Sequence, residues 1–217
     1  MAAPSSGRGR SATARTLWPW RIAVALAAFA PLPCWLGQAM TGHAGPEPGR
    51  YLLEHLGKGT LVLLLLTLSL TPLQRLSRWQ GFSRIRRQLG LWTFAYALLH
   101  LLAYLWFFLG FNAHALLADL SRRPYILVGM AALAGLTLMA ATSHRRAMRR
   151  LGKGWKRLHR LVYAVLILGL LHYFWIVRAD LGEWAIYALA GLLLLVLRLP
   201  PVARQLARPG RPAVTGT

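Results

Sequence analysis

Two histidines stand inside apolar stretches of the chain, and imidazole is the side chain there that is most able to do chemistry. His100 lies in the stretch LLHLL and His172 in the stretch LLHYF. An ionisable side chain inside a membrane-spanning segment is costly to desolvate, so it is a functional candidate by default. A single buried histidine is also explained by a hydrogen bond between helices. Two imidazoles facing each other across a helix bundle predict a bis-histidine haem b site.

The spacing from basic residues places these two histidines at the same depth. His100 lies 13 residues beyond Arg87, and His172 lies 12 residues beyond Arg160. At 1.5 Å per residue, both lie roughly 18–20 Å from the basic edge of their segments. We therefore expect both to be axial ligands of one haem iron. Basic residues near the far ends of the segments are candidate partners for the haem propionates. These are Arg178, which lies six residues beyond His172, and Arg122 and Arg123.

A third histidine, His159, precedes His172 by 13 residues and has three interpretations. It is a ligand of a second haem, a hydrogen-bonding group for a flavin or quinone where electrons enter, or an interfacial histidine. On an ideal helix it lies about 20 Å below His172 and about 140° around the axis. At its depth the third segment offers Gln88, and the nearest histidine is His144, so a second haem ligand is not evident. The remaining histidines have interfacial positions: His43, His55, His114 and His144.

The composition of the chain indicates a small membrane protein. It has 217 residues, of which 56% are hydrophobic and 14% charged, with 26 Lys and Arg against 5 Asp and Glu. The basic residues form short clusters between long apolar runs, which is typical of cytoplasmic loops and of contact with anionic lipid rather than with nucleic acid. Docking of an acidic electron donor on the loop 144–157 is the alternative. The single cysteine, Cys34, excludes an internal disulfide and a cysteine-based metal cluster.

Six apolar segments are long enough, or nearly so, to cross a bilayer as helices, which require about 20 residues. They are residues 22–40, 52–71, 90–110, 124–143, 158–177 and 183–199. We prefer an anchor to a signal peptide for the first segment, because it contains Pro31, Pro33 and Trp35 and no clear cleavage site. No internal repeat is evident.

The distribution of basic residues predicts how the bundle is oriented. Twenty-one of the basic residues fall on one side, and five fall on the other: Arg50, Lys58, Arg122, Arg123 and Arg178. The positive-inside rule then places both termini in the cytoplasm. The predicted fold is an all-α bundle of six transmembrane helices. We divide the chain into a disordered basic leader (1–20), the transmembrane domain (21–200) and a disordered tail (201–217).

Several sequence blocks resemble a known family. They are LTLSLTPLQRL (66–76), IRRQLGLWTFAYALLHLLAY (85–104), SRRPYILVG (121–129), MRRLGKGWKRLHRLVYAVLILGLLHYFW (148–175) and a final LLLLVLRLP. In this order they resemble the haem-binding membrane subunit of the bacterial periplasmic methionine-sulfoxide reductase system, of the MsrQ type. That family lies within the ferric-reductase-like transmembrane superfamily. The resemblance covers about residues 50–200.

The resemblance implies haem ligands at His100, His159 and His172, with haem b and FMN as cofactors. It also implies electron supply from the quinone pool or from a cytoplasmic flavin reductase. The implied partner is a periplasmic molybdopterin-dependent subunit that reduces methionine sulfoxide in oxidised proteins. The chain itself is then an electron-transfer subunit in the bacterial inner membrane rather than the catalytic subunit.

The residues agree with such a dependence on partners. The chain has no GxGxxG motif after a strand and no cysteine set for an iron–sulfur centre, so electrons enter and leave through other proteins. Two other functions stay open. One is the membrane domain of a ferric or other metal-chelate reductase. The other is a transporter or structural membrane protein whose histidines pass protons or metal ions.

Overall fold

A computed structural model describes residues 18–79, 81–178 and 181–202 of the chain. Within these residues the protein is all-α, as predicted. The helices are α1 (Trp18–Phe29), α2 (Pro31–Met40), α3 (Pro48–Ser77), α4 (Phe82–Phe107), α5 (Ala113–Arg122), α6 (Pro124–Ala141), α7 (Arg145–Leu151), α8 (Lys153–Leu158), α9 (Leu161–Ile176) and α10 (Gly182–Val196). Residues 18–20, which we assigned to the leader, begin α1. Residues 201–202 of the predicted tail are helical, while 1–17 and 203–217 lie outside the described residues.

Five helical segments in the described part of the chain are long and apolar enough to cross a membrane. They are Trp18–Met40, Pro48–Ser77, Phe82–Phe107, Pro124–Ala141 and Lys153–Ile176. The sixth predicted segment corresponds to α10, which has 15 residues and is about 22 Å long. That length is less than the roughly 30 Å of a hydrocarbon core.

The outer surface of the bundle is apolar. Ile186 and Leu189 on α10, for example, are 68% and 66% exposed. An extended apolar surface of this kind is suited to lipid rather than water. Together with the five apolar helices, it describes a multi-pass membrane protein.

Two helix pairs form the centre of the bundle. Helix α3 packs along α4, and α6 packs along α9. One apolar core joins α1, α3 and α4 around Tyr96, whose hydroxyl donates to the carbonyl of Ala28 at 2.6 Å. A second core joins α3, α6 and α9 around Leu68 and Leu166, which are almost fully buried. Helix α3 takes part in both cores and is therefore the central element.

The bundle has two chemically different ends. The α3–α4 turn, the connection from α6 through α7 and α8 to α9, and the end of α10 form what we name the basic end. The four acidic residues that the structure describes all lie at the opposite end: Glu47, Glu54, Asp119 and Glu183.

A proline in α3 explains a polar contact at the basic end. Pro72 lies inside the helix and has no N–H, so the carbonyl of Leu68, one turn earlier, lacks its usual helical partner. The guanidinium of Arg198, just beyond α10, donates to this carbonyl at 2.6 Å. Arg198 therefore fixes the end of α10 against α3.

The predicted helix over residues 158–177 is interrupted. Helix α8 ends at Leu158, with His159 as its C-cap, and α9 begins at Leu161. In the break, the N–H of Arg160 donates to the carbonyl of Arg157, and the N–H of Tyr163 donates to the carbonyl of Arg160. Both hydrogen bonds join residues three apart, as in a turn. The ideal-helix angle between His159 and His172 therefore does not hold, because the backbone changes its winding at His159.

Candidate functional site

The structure brings His100 and His172 together in the middle of the bundle. His100 lies on α4 and His172 on α9, and the centres of their rings are 6.3 Å apart with the ring planes at 88°. Helices α4 and α9 both run from the basic end towards the opposite end. The matching depths inferred from Arg87 and Arg160 are therefore confirmed.

Both imidazoles are held by backbone carbonyls of a neighbouring helix. The Nδ1–H of His100 donates to the carbonyl of Leu53 on α3 at 2.8 Å, and that of His172 donates to the carbonyl of Tyr125 on α6 at 2.6 Å. A carbonyl oxygen only accepts, so these contacts place the proton on Nδ1 of each ring. In a neutral imidazole with its proton on Nδ1, Nε2 carries a lone pair. This is the tautomer that can bind a metal through Nε2.

Two glycines make room for these rings, and the sequence reasoning missed both. A Cβ at Gly57 on α3 would lie 3.0 Å from His100, and a Cβ at Gly129 on α6 would lie 2.9 Å from His172. Each glycine lies four residues after the residue whose carbonyl holds the ring. The imidazole therefore packs against its neighbouring helix at a position that has no side chain. The glycines therefore set how closely each ring approaches its helix.

The two halves of the site use the same spacing. Each histidine bonds a carbonyl 47 residues earlier in the chain, and each packs on a glycine 43 residues earlier. The pairs α3–α4 and α6–α9 are thus alike in how they present a histidine, although no repeat is evident in the sequence. The equal glycine-to-histidine spacing is the signal that would have revealed the similarity.

The separation of the two rings would allow them to hold one metal ion between them. With metal–nitrogen bonds of about 2 Å, two imidazoles on opposite sides of a metal have ring centres roughly 6 Å apart. The observed separation of 6.3 Å meets this requirement. Among the described residues no three His, Cys, Asp or Glu side chains are grouped to hold a metal ion. A macrocycle that supplies its own equatorial donors fits the pair, and haem is such a group.

His159 has a different environment at the basic end. Its Nδ1–H donates to the carbonyl of Trp155 at 3.1 Å, and its ring stacks on the Trp155 indole at 4.0 Å. The indole N–H in turn donates to the carbonyl of Thr142, at the end of α6. The Nε2 of His159 is buried and has no hydrogen-bond partner. This nitrogen is free for a ligand, and its occupant stays open.

The structure does not bring the other proposed ligand residues to His159. His144 is exposed, and its Nδ1–H donates to the carbonyl of Ala141, three residues earlier at the end of α6. Gln88 donates to the carbonyl of Arg21 at 2.8 Å and so fastens α4 to α1.

The predicted propionate partners lie at the opposite end. Arg178 is exposed just beyond the C-cap of α9. Arg123 pairs with Asp119 at 3.3 Å, one turn away on α5. The assignment of Arg178 to a propionate stays a prediction.

A further cation at that end pairs across the bundle. Lys58 and Glu54 are one turn apart on α3, a spacing that predicts an ion pair between them. In the structure the Lys58 ammonium instead lies 2.7 Å from Glu183 on α10, while Glu54 pairs with Arg50 at 2.9 Å. The Lys58–Glu183 contact joins α3 to the start of α10. Lys58 directly follows Gly57, so this ion pair also lies next to the histidine site.

Comparison with known proteins agrees with this architecture. Residues 56–170 match the family described as "Ferric reductase like transmembrane component". The chain is also 44% identical over 193 residues to the "Protein-methionine-sulfoxide reductase heme-binding subunit MsrQ" of Rhodospirillum rubrum. This alignment covers 88% of the chain and 92% of the relative. No solved structure matches the chain. The family match includes His100 but ends at residue 170, before His172. An alignment that covers 88% of the chain includes both helix pairs and both central histidines. The chain therefore belongs to the family of haem-binding subunits of protein-methionine-sulfoxide reductases, within the ferric-reductase-like transmembrane components.

Proposed function

We propose that the chain is a membrane electron-transfer subunit that binds haem b between His100 and His172. The observation that carries the proposal is the facing pair itself, 6.3 Å between ring centres, with both Nδ1–H groups held by backbone carbonyls. The name of the Rhodospirillum rubrum relative, a haem-binding subunit, supports the same cofactor.

The residues around the pair have definable tasks. The bound haem would supply one-electron redox chemistry at the iron. Leu53 and Tyr125 orient the imidazoles and raise their basicity through the Nδ1 hydrogen bonds. Gly57 and Gly129 let the rings lie against α3 and α6. The surrounding apolar helices exclude water, which affects the redox potential of such a centre.

The direction of transfer follows from the proposed topology. Six transmembrane segments, with α10 as a short sixth, would place both termini and the basic end in the cytoplasm. Electrons from the quinone pool or a cytoplasmic flavin reductase would enter at the basic end, near His159. They would leave at the opposite end to a periplasmic molybdopterin-dependent subunit that reduces methionine sulfoxide.

Reporter fusions test this topology. Fusions after residues 80 and 152 and at the C-terminus should report the cytoplasm, and fusions near residues 45, 115 and 181 the periplasm. A periplasmic C-terminus would remove α10 from the membrane-spanning set and reverse the assignment of the ends.

The finer cofactor assignments belong to this proposal as well. A second haem at His159 is supported by its buried Nε2, which has no hydrogen-bond partner. FMN is implied by the family resemblance, and no residue of this chain is assigned to it. Haem and flavin quantification on the purified chain tests both, together with reduced-minus-oxidised spectra.

A metal-chelate reductase domain is the second candidate function. It is favoured by the match of residues 56–170 to the ferric-reductase-like components. The two functions differ in the electron acceptor. Rapid oxidation of the reduced chain by a purified molybdopterin-dependent methionine-sulfoxide reductase, and slow oxidation by ferric chelates, supports the electron-transfer subunit. The reverse order of rates supports the ferric reductase.

A further inference from the structure

A group of cationic side chains meets at the basic end of the bundle. Arg86 on α4 and Arg198 beyond α10 each donate to the hydroxyl oxygen of Thr71 on α3, both at 3.0 Å. Because both donor nitrogens bond the same oxygen, they are no more than about 6 Å apart. Arg198 also donates to the hydroxyl of Tyr163 on α9 at 2.9 Å. Four helical segments thus converge on two guanidinium groups.

The groups that accept hydrogen bonds from these two arginines are all neutral, so they do not balance the positive charge of the cluster. The partners of the two guanidiniums are a hydroxyl, a phenol and the Leu68 carbonyl. The described acidic residues all lie at the opposite end of the bundle. Two partly buried cations held side by side repel each other, and no carboxylate of the described chain offsets that repulsion.

A third arginine adds to the imbalance. Arg75 lies one turn beyond Thr71 on the same face of α3, nearer the end of the helix. Its Nη1 is buried without a hydrogen-bond partner, and so is the Nε of Arg198. Buried donors of this kind normally have a partner, and two of them at the same end of the bundle indicate that one is missing.

We propose that Arg75, Arg86 and Arg198 bind the phosphate of an anionic ligand at the basic end. Phosphate matches the planar fork of donors that arginine presents, and several arginines around one phosphate are a common arrangement. The position is suitable, since Thr71 lies six residues, about 9 Å, before the end of α3 and therefore near the headgroup layer. An acidic phospholipid is one source of this phosphate, and a soluble phosphate compound is the other.

The test uses the full chain purified in neutral detergent, with three variants. Arg75→Gln and Arg198→Gln remove cluster cations, and Arg149→Gln removes the same charge from the exposed helix α7. Because Arg198 also joins α10 to α3, Arg198→Gln could destabilise the fold itself. Arg75→Gln removes an Nη1 that has no hydrogen-bond partner, so it tests the site without breaking a hydrogen bond of that atom. Native mass spectrometry measures retained phosphatidylglycerol against phosphatidylcholine. Thermal unfolding is measured with and without inorganic phosphate.

Selective loss of phosphatidylglycerol, by about tenfold or more in the two cluster variants and not in Arg149→Gln, supports the site with a lipid as its ligand. Equal lipid retention in all proteins, with stabilisation by inorganic phosphate that only the cluster variants lose, supports the site with a soluble ligand. The proposal is overturned if neither lipid retention nor phosphate stabilisation distinguishes the cluster variants from Arg149→Gln. It is also overturned if the only change is a loss of haem.

Discussion

The histidine pair and the basic end differ in whether their buried polar groups have hydrogen-bond partners within the chain. At the pair, the chain itself satisfies each Nδ1–H with a carbonyl of a neighbouring helix. At the basic end, the Nη1 of Arg75 and the Nε2 of His159 are buried with no partner. The polar groups of the pair that face a neighbouring helix are thus satisfied within the chain, whereas the two buried groups at the basic end are not. Under the functions proposed above, this difference separates the redox centre from the region that binds other molecules.

The largest expected effect is the loss of haem when either central histidine is removed. His100→Ala and His172→Ala should each abolish low-spin haem at the pair, because an iron without one of its two imidazoles binds weakly or becomes high-spin. Pyridine haemochrome content and the absorption spectrum measure the effect. His55→Ala is the matched control, since His55 bonds the Tyr51 carbonyl of its own helix and lies apart from the pair. Wild-type haem content in His100→Ala would refute the assignment.

The glycines test whether the site is preformed by close helix packing. Gly129→Ala should displace the His172 ring, because the new Cβ would lie 2.9 Å from two of its atoms. Gly57→Ala should displace the His100 ring in the same way, because the new Cβ would lie 3.0 Å from its nearest atom. We expect haem affinity to fall about 10- to 100-fold for Gly129→Ala, as for other changes that misplace a metal ligand. Gly37→Ala, with open space around its Cβ, is the control. Equal haem affinity in all three variants would show that the rings do not need this space.

His159 distinguishes the three interpretations of the basic end. If it ligates a second haem, His159→Ala should lower the haem-to-protein ratio from about two to about one. An unchanged ratio with slower reduction by quinol or by a flavin reductase would indicate a role where electrons enter. No change in either quantity would leave His159 as an interfacial residue stacked on Trp155.

The Lys58–Glu183 ion pair should have the smallest effect. Its two side chains are 34% and 43% exposed, and exposed pairs contribute about 0.2–1 kcal/mol. Glu183→Gln should therefore lower the Tm of the purified chain by no more than about 4 °C and leave its haem content unchanged. Glu54→Gln, which removes the partner of Arg50 on the same helix, is the control. A loss of haem in Glu183→Gln alone would mean that the ion pair supports the site.

The sequence predicted the parts of the fold and site that depend on local pattern. The apolar runs gave the all-α fold and five of the long segments, and counting from Arg87 and Arg160 placed His100 and His172 at one depth. What it missed depends on contacts between distant segments. The glycine clearances require two packed helices, and Lys58 pairs across to α10 rather than with the nearer Glu54.

The break at His159 was missed for another reason. Residues 156–160 are mostly basic and contain no glycine or proline, the usual markers of a break, so the sequence gives no sign that one helix ends and another begins there.

The central claim is that His100 and His172 hold one haem between them, and electron paramagnetic resonance of the oxidised, purified chain tests it most directly. The account predicts a low-spin ferric signal from two imidazole ligands, lost in both His100→Ala and His172→Ala and kept in His159→Ala. A low-spin signal that keeps its full wild-type intensity in His100→Ala or in His172→Ala would contradict it.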